Sequence, residues 1–332
     1  MINKIKIYIK ENYKFILGLC LLIFICTFEF PYKINTPGGL ANLNDRISVE
    51  GGYSQKGSFN MTYVSMKYGT IPNILLSFVI PDWDLVNNKE LTLENEDFDT
   101  RMKIDKMMGE SSVDEAIMAS FKAAEKELVI TEEKIYVTYI LKEADTNLLP
   151  MDQIIKVNDT FVSSKEDLLK YVDELKVNDR INFTVIRNGK EEQCYGVVKL
   201  IMDKPKVGFT FMSKYLYKES PSADIKMNDS EYGSSGGLMM ALSIYNALVP
   251  EDLTKGNVIA GTGTINKDGE VGAIDGVKYK LLGASRKKAK LFLVPNDNYD
   301  EAIDIKNKYH LTIDIKNVAT LEEAINYLKN YE

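Results

Sequence analysis

The 332 residues carry 41 Lys and Arg against 48 Asp and Glu, a net charge of −7, with 45% hydrophobic and 27% charged side chains. That length and apolar content suit a folded chain of two or three domains, and the acidic balance lacks the basic face of a general nucleic-acid binder. The single His, His310, and only three Cys, two of them in one apolar run, exclude a multi-His zinc site, a Cys-rich metal site and a disulfide framework. Any Ser-His-Asp triad would have to use His310, so a hydrolase here is expected to take its base from another residue type.

The chain opens with a lysine-rich tail, residues 1–12, and an uncharged run from Phe15 to Phe28. Tyr13 and Lys14 before it, and Phe30, Pro31 and Tyr32 after it, extend the run toward the twenty or so residues that a span needs. A transmembrane anchor is therefore expected over 13–32. Lys4, Lys6, Lys10 and Lys14 outweigh Glu11, which puts the tail in the cytoplasm and the remainder outside. The following EFPYKIN offers no small-x-small cleavage site, which favours a retained anchor over a cleaved signal peptide.

Residues 33–127 read as a β-rich extracellular region. Alternation from Ser58 to Met66 and from Ile74 to Ile80 predicts strands, and Pro37-Gly38-Gly39 and Gly51-Gly52 predict turns. Trp83 reads as a packing residue. Asp82, Asp84, Asp97 and Asp99 miss the spacing of a calcium loop and read as a solvated acidic face, so no metal site is expected. A helix is predicted near 112–127, with Ser112 as N-cap and Glu115 at the capping-box position.

From Ile135 the order changes to strand (Ile135 to Leu141), strand (Gln153 to Asp159), amphipathic helix (Ser164 to Leu175) and a hairpin (Arg180 to Leu200) turning at Asn188-Gly189. With IIKVND and VIRNGK in place, residues 128–200 resemble a bacterial PDZ domain. The resemblance implies recognition of an extended peptide by strand addition. Two departures stand out. Met151-Asp152 replaces the usual Gly-Asp, and the loop before Ile135 is TEEK, without the usual glycine and with two glutamates that would repel a peptide carboxylate.

The chemistry is expected in the last 130 or so residues. Gly233-Ser234-Ser235-Gly236-Gly237 precedes a helix that is apolar nearly all round, hence buried, with unpaired N–H groups and a positive partial charge at its start. Taken alone, that turn also reads as an ordinary N-cap in a glycine loop. Ala260 to Ala284 reads as two short strands joined at Lys267-Asp268-Gly269, then a helix from Gly276. Lys280 lies beside the apolar face of that helix, formed by Val277, Leu281 and Ala284. A lysine desolvated there loses proton affinity, although a surface lysine is the ordinary reading. The closing ATLEEAINYL, Ala319 to Leu328, predicts a capped amphipathic helix.

This segment, residues 201–332, resembles the proteolytic domain of the Lon family of serine–lysine peptidases. The family's Gly-Pro-Ser-Ala-Gly aligns with Gly233 to Gly237, its threonine–glycine strand with Thr262-Gly263, its Gly-x-x-x-Lys with Gly276 to Lys280, and its next strand with Leu291 to Pro295. The resemblance implies Ser235 as nucleophile by motif position, with the adjacent Ser234 as the alternative, Lys280 as general base and Thr262 as its orienting partner, with the N–H groups from Gly233 through Ser234 to Ser235 as the oxyanion site. Ser234 replaces the family proline, and Gly236 replaces its alanine. The whole order resembles membrane-anchored PDZ–Lon peptidases: an α+β multidomain chain cleaving secreted peptides or surface proteins, with room for a homo-oligomer. No G-x-x-x-x-G-K-[ST] occurs, so neither nucleotide nor any other cofactor is expected. The competing reading is a non-enzymatic surface scaffold that binds a partner through the PDZ-like module.

Overall fold

The computed structural model describes residues 2–88, 98–173, 175–228 and 233–331. Asp97, and the start of the stretch leading to the serine turn, residues 229–232, lie outside them. The first helix, α1 (Ile2–Thr27), ends where β1 (Glu29–Asn42) begins. The spanning helix expected over 13–32 is corrected to one that ends at Thr27, with β1 taking up the rest of that range. Helix after Lys14 is confined to Phe15–Thr27, about 20 Å at 1.5 Å per residue against a hydrocarbon core of about 30 Å. Among the described residues no helix is long and apolar enough to cross a membrane.

The next elements are β2 (Ser58–Thr70), α2 (Ile71–Ser77), β3 (Asp84–Asn87) and α3 (Phe98–Ala123). The strand expected at Ile74 to Ile80 is largely α2: Pro72 sits in its first turn, where a missing N–H costs nothing, and the apolar run continues into turns rather than a sheet. The helix expected near 112–127 starts fourteen residues earlier and ends at Ala123, so Ser112 and Glu115 are mid-helix and not caps.

The PDZ-like module holds β4 (Glu127–Ile140), β5 (Gln153–Val157), α4 (Lys165–Asp173), β6 (Arg180–Arg187), β7 (Lys190–Val197) and β8 (Phe209–Ser220). Its sheet runs β8-β4-β5-β6-β7, with Asp145–Thr146 on the far edge. Asn188 and Gly189 both take positive φ, as the predicted hairpin requires. Its own core gathers Ile135, Val137, Ile154, Val157, Leu168 and Phe183.

The last third supplies α5 (Gly237–Leu248), β9 (Val258–Gly261), α6 (Val277–Arg286), β10 (Leu291–Pro295), α7 (Tyr299–Lys308), β11 (Asp314–Val318) and α8 (Leu321–Asn330). Three of these strands join β1, β2 and β3 in one six-stranded sheet, ordered β11-β10-β9-β2-β1-β3. The first four strands are parallel, and β1 and β3 add antiparallel. The expected separation of 33–127 from 201–332 is therefore corrected: both segments build one α/β unit, with the PDZ-like module inserted between α3 and α5. Alternation along β10 sorts the two cores. Leu291 and Leu293 face α5 and α8, while Phe292 and Val294 face α6 and α7.

Candidate active site

Burial of α5 follows from its composition. Of its twelve residues only Ala247 is not buried, so its N-terminus is pushed against β9 and α3. Gly233 takes φ +87°, a left-handed value open to glycine. At Gly237 a Cβ would lie 2.8 Å from Ser112 Oγ and 2.9 Å from the Ile265 backbone nitrogen, so only glycine lets the turn pack this closely. The turn is tied down from three sides. The Gly233 N–H donates to the Asp105 carbonyl at 2.9 Å, Ser112 Oγ donates to the Ser234 carbonyl at 3.1 Å, and the Gly263 N–H donates to the Ser235 carbonyl at 2.8 Å.

Lys280 projects from the first turn of α6 and is 5% exposed. Its Nζ donates to Thr262 Oγ1 at 3.2 Å, and Thr262 Oγ1 donates to the Ser235 carbonyl at 3.0 Å. Thr262 itself is fully buried. Burial among Val277, Leu281 and Ala284 pulls the Lys280 amine down to about 8, opposed only by the Asp275 carboxylate. The neighbouring Lys278 turns the other way and pairs with Asp84, which also accepts from the Tyr279 hydroxyl at 2.6 Å. Arg286 pairs with Asp82. These two aspartates thus clamp the outer side of α6, and among the described residues no group of His, Cys, Asp and Glu could hold a metal ion.

The structure brings together Ser235, Thr262 and Lys280, but through a relay. Among the described residues the Ser235 hydroxyl makes no hydrogen bond, and the direct Ser235–Lys280 bond expected of a dyad is not formed. Gly233 is corrected as an oxyanion donor, because its N–H is already spent on Asp105. Among the described residues the N–H groups of Ser234, Ser235 and Gly236 carry no hydrogen bond, which leaves the donors one step further along the turn.

Beside the turn lies a cleft of about 390 Å³ between the PDZ-like module and the α/β unit. Ser234, Ile265 and Gly272 line one side, Phe211 and Tyr215 of β8 another, and Glu115 of α3 a third. Sequence reading missed the part played by α3: Ser112 and Glu115 carried the signal, but it resembled a helix start.

Residues 226–329 match the model of the Lon protease (S16) C-terminal proteolytic domain, and residues 116–195 match the PDZ domain model. Lon protease 2 of Borreliella burgdorferi is 31% identical over 128 residues, 36% of this chain and 15% of that protein. The Lon protease of Campylobacter jejuni is 26% identical over 178 residues, 52% of this chain and 22% of that protein. The chain thus spans less than a quarter of the length of these relatives. Among solved structures, the PDZ domain of an SdrC-like protein from Listeria monocytogenes is 22% identical, covering 23% of this chain and 85% of that one, with a TM-score of 0.22. Residues 226–329 thus match a Lon-type S16 proteolytic domain, in one chain with a segment that matches a PDZ domain, and the motif order and the buried lysine beside the serine turn agree with that match.

Proposed function

We propose that the chain is an endopeptidase that works without ATP, with Ser235 as nucleophile and Lys280 as general base. The observation that carries this reading is a buried amine, its proton affinity lowered, held by Thr262 next to the serine turn. Neutral Lys280 takes the proton of Ser235 Oγ as that oxygen attacks a peptide carbonyl. The ammonium then returns the proton to the leaving amine, and water releases the acyl group. The N–H groups of Ser234, Ser235 and Gly236, which carry no hydrogen bond among the described residues, are the donors available to the developing oxyanion. Catalytic hydrogen bonds are often long or absent before substrate binds, and substrate closes the Ser235–Lys280 gap. The PDZ domain presents an extended segment of the substrate to the cleft.

Peptide cleavage by Ser235→Ala and Lys280→Ala should fall by on the order of 10³-fold or more, with Ser234→Ala still active. The wild-type rate should climb with pH through about 8, as Lys280 loses its proton. Persistent cleavage by a clean Ser235→Ala preparation ends the assignment. The missing Ser235–Lys280 hydrogen bond favours one second reading, a proteolytically silent scaffold; a wild type that cuts nothing at pH 9 would support it.

The cellular setting belongs to the same proposal. Phe15, Leu17, Leu21, Leu22, Ile23 and Phe24 of α1 are all exposed, and burying them in lipid would attach the chain to a membrane, with the catalytic domain on the outer face. Substrates would then be secreted peptides or surface proteins. Cell fractionation and protease shaving test this: the chain should pellet with membranes and be degraded from outside. A chain that stays in the supernatant, or resists shaving until cells are lysed, contradicts it.

A further inference from the structure

Glu115 is left over from a sequence motif that the fold did not use as a cap. Ser112 and Glu115 lie three residues apart on α3, so they share a face about 4.5 Å apart along the axis. Ser112 touches the serine turn through the Ser234 carbonyl, which places Glu115 one helical turn from it, lining the cleft. The spacing corresponds to one or two residues of an extended peptide at about 3.3 Å each. Ser111 Oγ, donating to the Ser213 carbonyl at 2.6 Å, fixes α3 against β8 on the opposite wall.

The Glu115 carboxylate is partly buried, and among the described residues it accepts no hydrogen bond and forms no ion pair. The nearest groups are engaged elsewhere, apart from the Lys165 ammonium, which attracts Glu115 without pairing with it. Asp114 accepts from the Tyr217 hydroxyl at 3.3 Å, Glu133 caps α4 by accepting from the Lys165 N–H at 3.1 Å, and Lys267 pairs with Glu166 at 3.3 Å and Glu133 at 4.0 Å. Lys165 stands at the rim with an exposed side chain, and Glu270 adds a second carboxylate to the lining. A partly desolvated carboxylate that makes no hydrogen bond or ion pair among the described residues gains most from a cation that arrives with the ligand.

We propose that Glu115 is a specificity-determining residue of this peptidase, receiving a Lys or Arg side chain of the substrate within one or two residues of the scissile bond. The inference rests on the peptidase reading above. Burial raises the Glu115 carboxyl to about 7, with Asp114 and Glu133 pushing the same way and Lys165 and Lys267 opposing. The preference for a basic residue is therefore present above that pH and fades below it, as the carboxylate takes up a proton.

The test uses the full chain and paired peptides that differ only in Lys or norleucine at successive positions around the cut. At pH 8 wild type should favour Lys by about tenfold in kcat/KM at one position. Glu115→Gln should level that ratio while still cutting the norleucine peptide, and Glu115→Lys should turn it toward a Glu-containing peptide. A Lys-to-norleucine ratio unchanged in Glu115→Gln overturns the proposal. Anisotropy binding of the same peptides to Ser235→Ala full chain separates the two readings. Selective binding that Glu115→Gln abolishes, with no cleavage by wild type, rejects the peptidase and keeps the cation site. Equal or undetectable binding of both peptides, with cleavage intact, rejects the cation site alone.

Discussion

Lys280 shows what a buried amine costs a fold. Unfolded, its amine keeps a proton to about pH 10.4, whereas in the folded chain it loses it at about 8. Between these values the unfolded chain binds more protons, so stability rises with pH across that window. At pH 7 the burial costs about 3 kcal/mol relative to pH above 10, from roughly 1.4 kcal/mol per pH unit. Lys280→Met, which keeps the length and drops the amine, should therefore gain about 1–3 kcal/mol at pH 7 in denaturant titrations and lose that advantage toward pH 10, while abolishing cleavage. A gain that is flat with pH would show that Lys280 is not the titrating group. None of this burial is visible in Lys280 as a letter, since the same α6 turn sends Lys278 outward to Asp84. What made it legible was the motif around it. Met151 shows the converse case. The sequence marked it as a departure from glycine, and it does take φ +76°, a left-handed value that Gly would adopt without strain. Asp152 beside it is buried and held by the Arg187 guanidinium at 2.6 and 2.7 Å, which gives the aspartate a structural role of its own.

At the scale of elements, two stretches with the same apparent start signal behave differently. Thr320 and Glu323 form a true cap: Thr320 Oγ1 accepts from the Glu323 N–H at 3.1 Å, and Glu323 accepts from the Ala319 N–H at 2.8 Å, at the start of the predicted α8. Ser112 and Glu115 have the same spacing but sit mid-helix, because the MKIDKMMGE preceding them is itself helical and pushes the start back to Phe98. A cap reading depends on what precedes the residue, and spacing alone does not carry that. The hairpin at Asn188-Gly189 was legible for the opposite reason: its turn is local, and two residues with positive φ specify it. Ile74 to Ile80 misled because a short apolar run fits either period, and Pro72 at the first turn decides for the helix. The TEEK segment, expected as a loop, lies within β4 and acquires a role the sequence suggested only as repulsion. Glu133 is spent inside the protein, accepting from the Lys165 N–H at the start of α4 and from the Ser213 hydroxyl. Its carboxylate occupies a helix N-terminus that would otherwise attract an anion.

For the whole molecule, the decisive fact is one that no local pattern encodes: β2 lies between β9 and β1 in a single sheet, although nearly 200 residues separate it from β9. Thr62 Oγ1 donates to the Gly261 carbonyl at 2.9 Å and Asn60 Nδ2 to the Ile259 carbonyl at 3.1 Å, so residues before the PDZ domain fix the strand that leads into Thr262. Sequence reading placed the candidate catalytic motifs in the last third because their helices and turns are local. It divided the protein wrongly because pairing between distant strands leaves no periodic mark. The topology makes a prediction about truncation. A fragment of residues 201–332 lacks β1, β2 and α3, leaving Ile259 and α5 against water on surfaces they now bury, and it should show no cooperative unfolding transition by circular dichroism. Excising 128–219 should be tolerated, because β4 and β8 are antiparallel and Leu128 pairs directly with Glu219, so a short turn can close the gap. That excised chain should unfold cooperatively in denaturant, with the Lys280–Thr262 site still built. It should, however, lose the preference for basic substrates, because Phe211 and Tyr215 supply the wall opposite Glu115. If the 201–332 fragment folds cooperatively by itself, the sheet does not depend on its first strands, and the division into one interleaved unit fails.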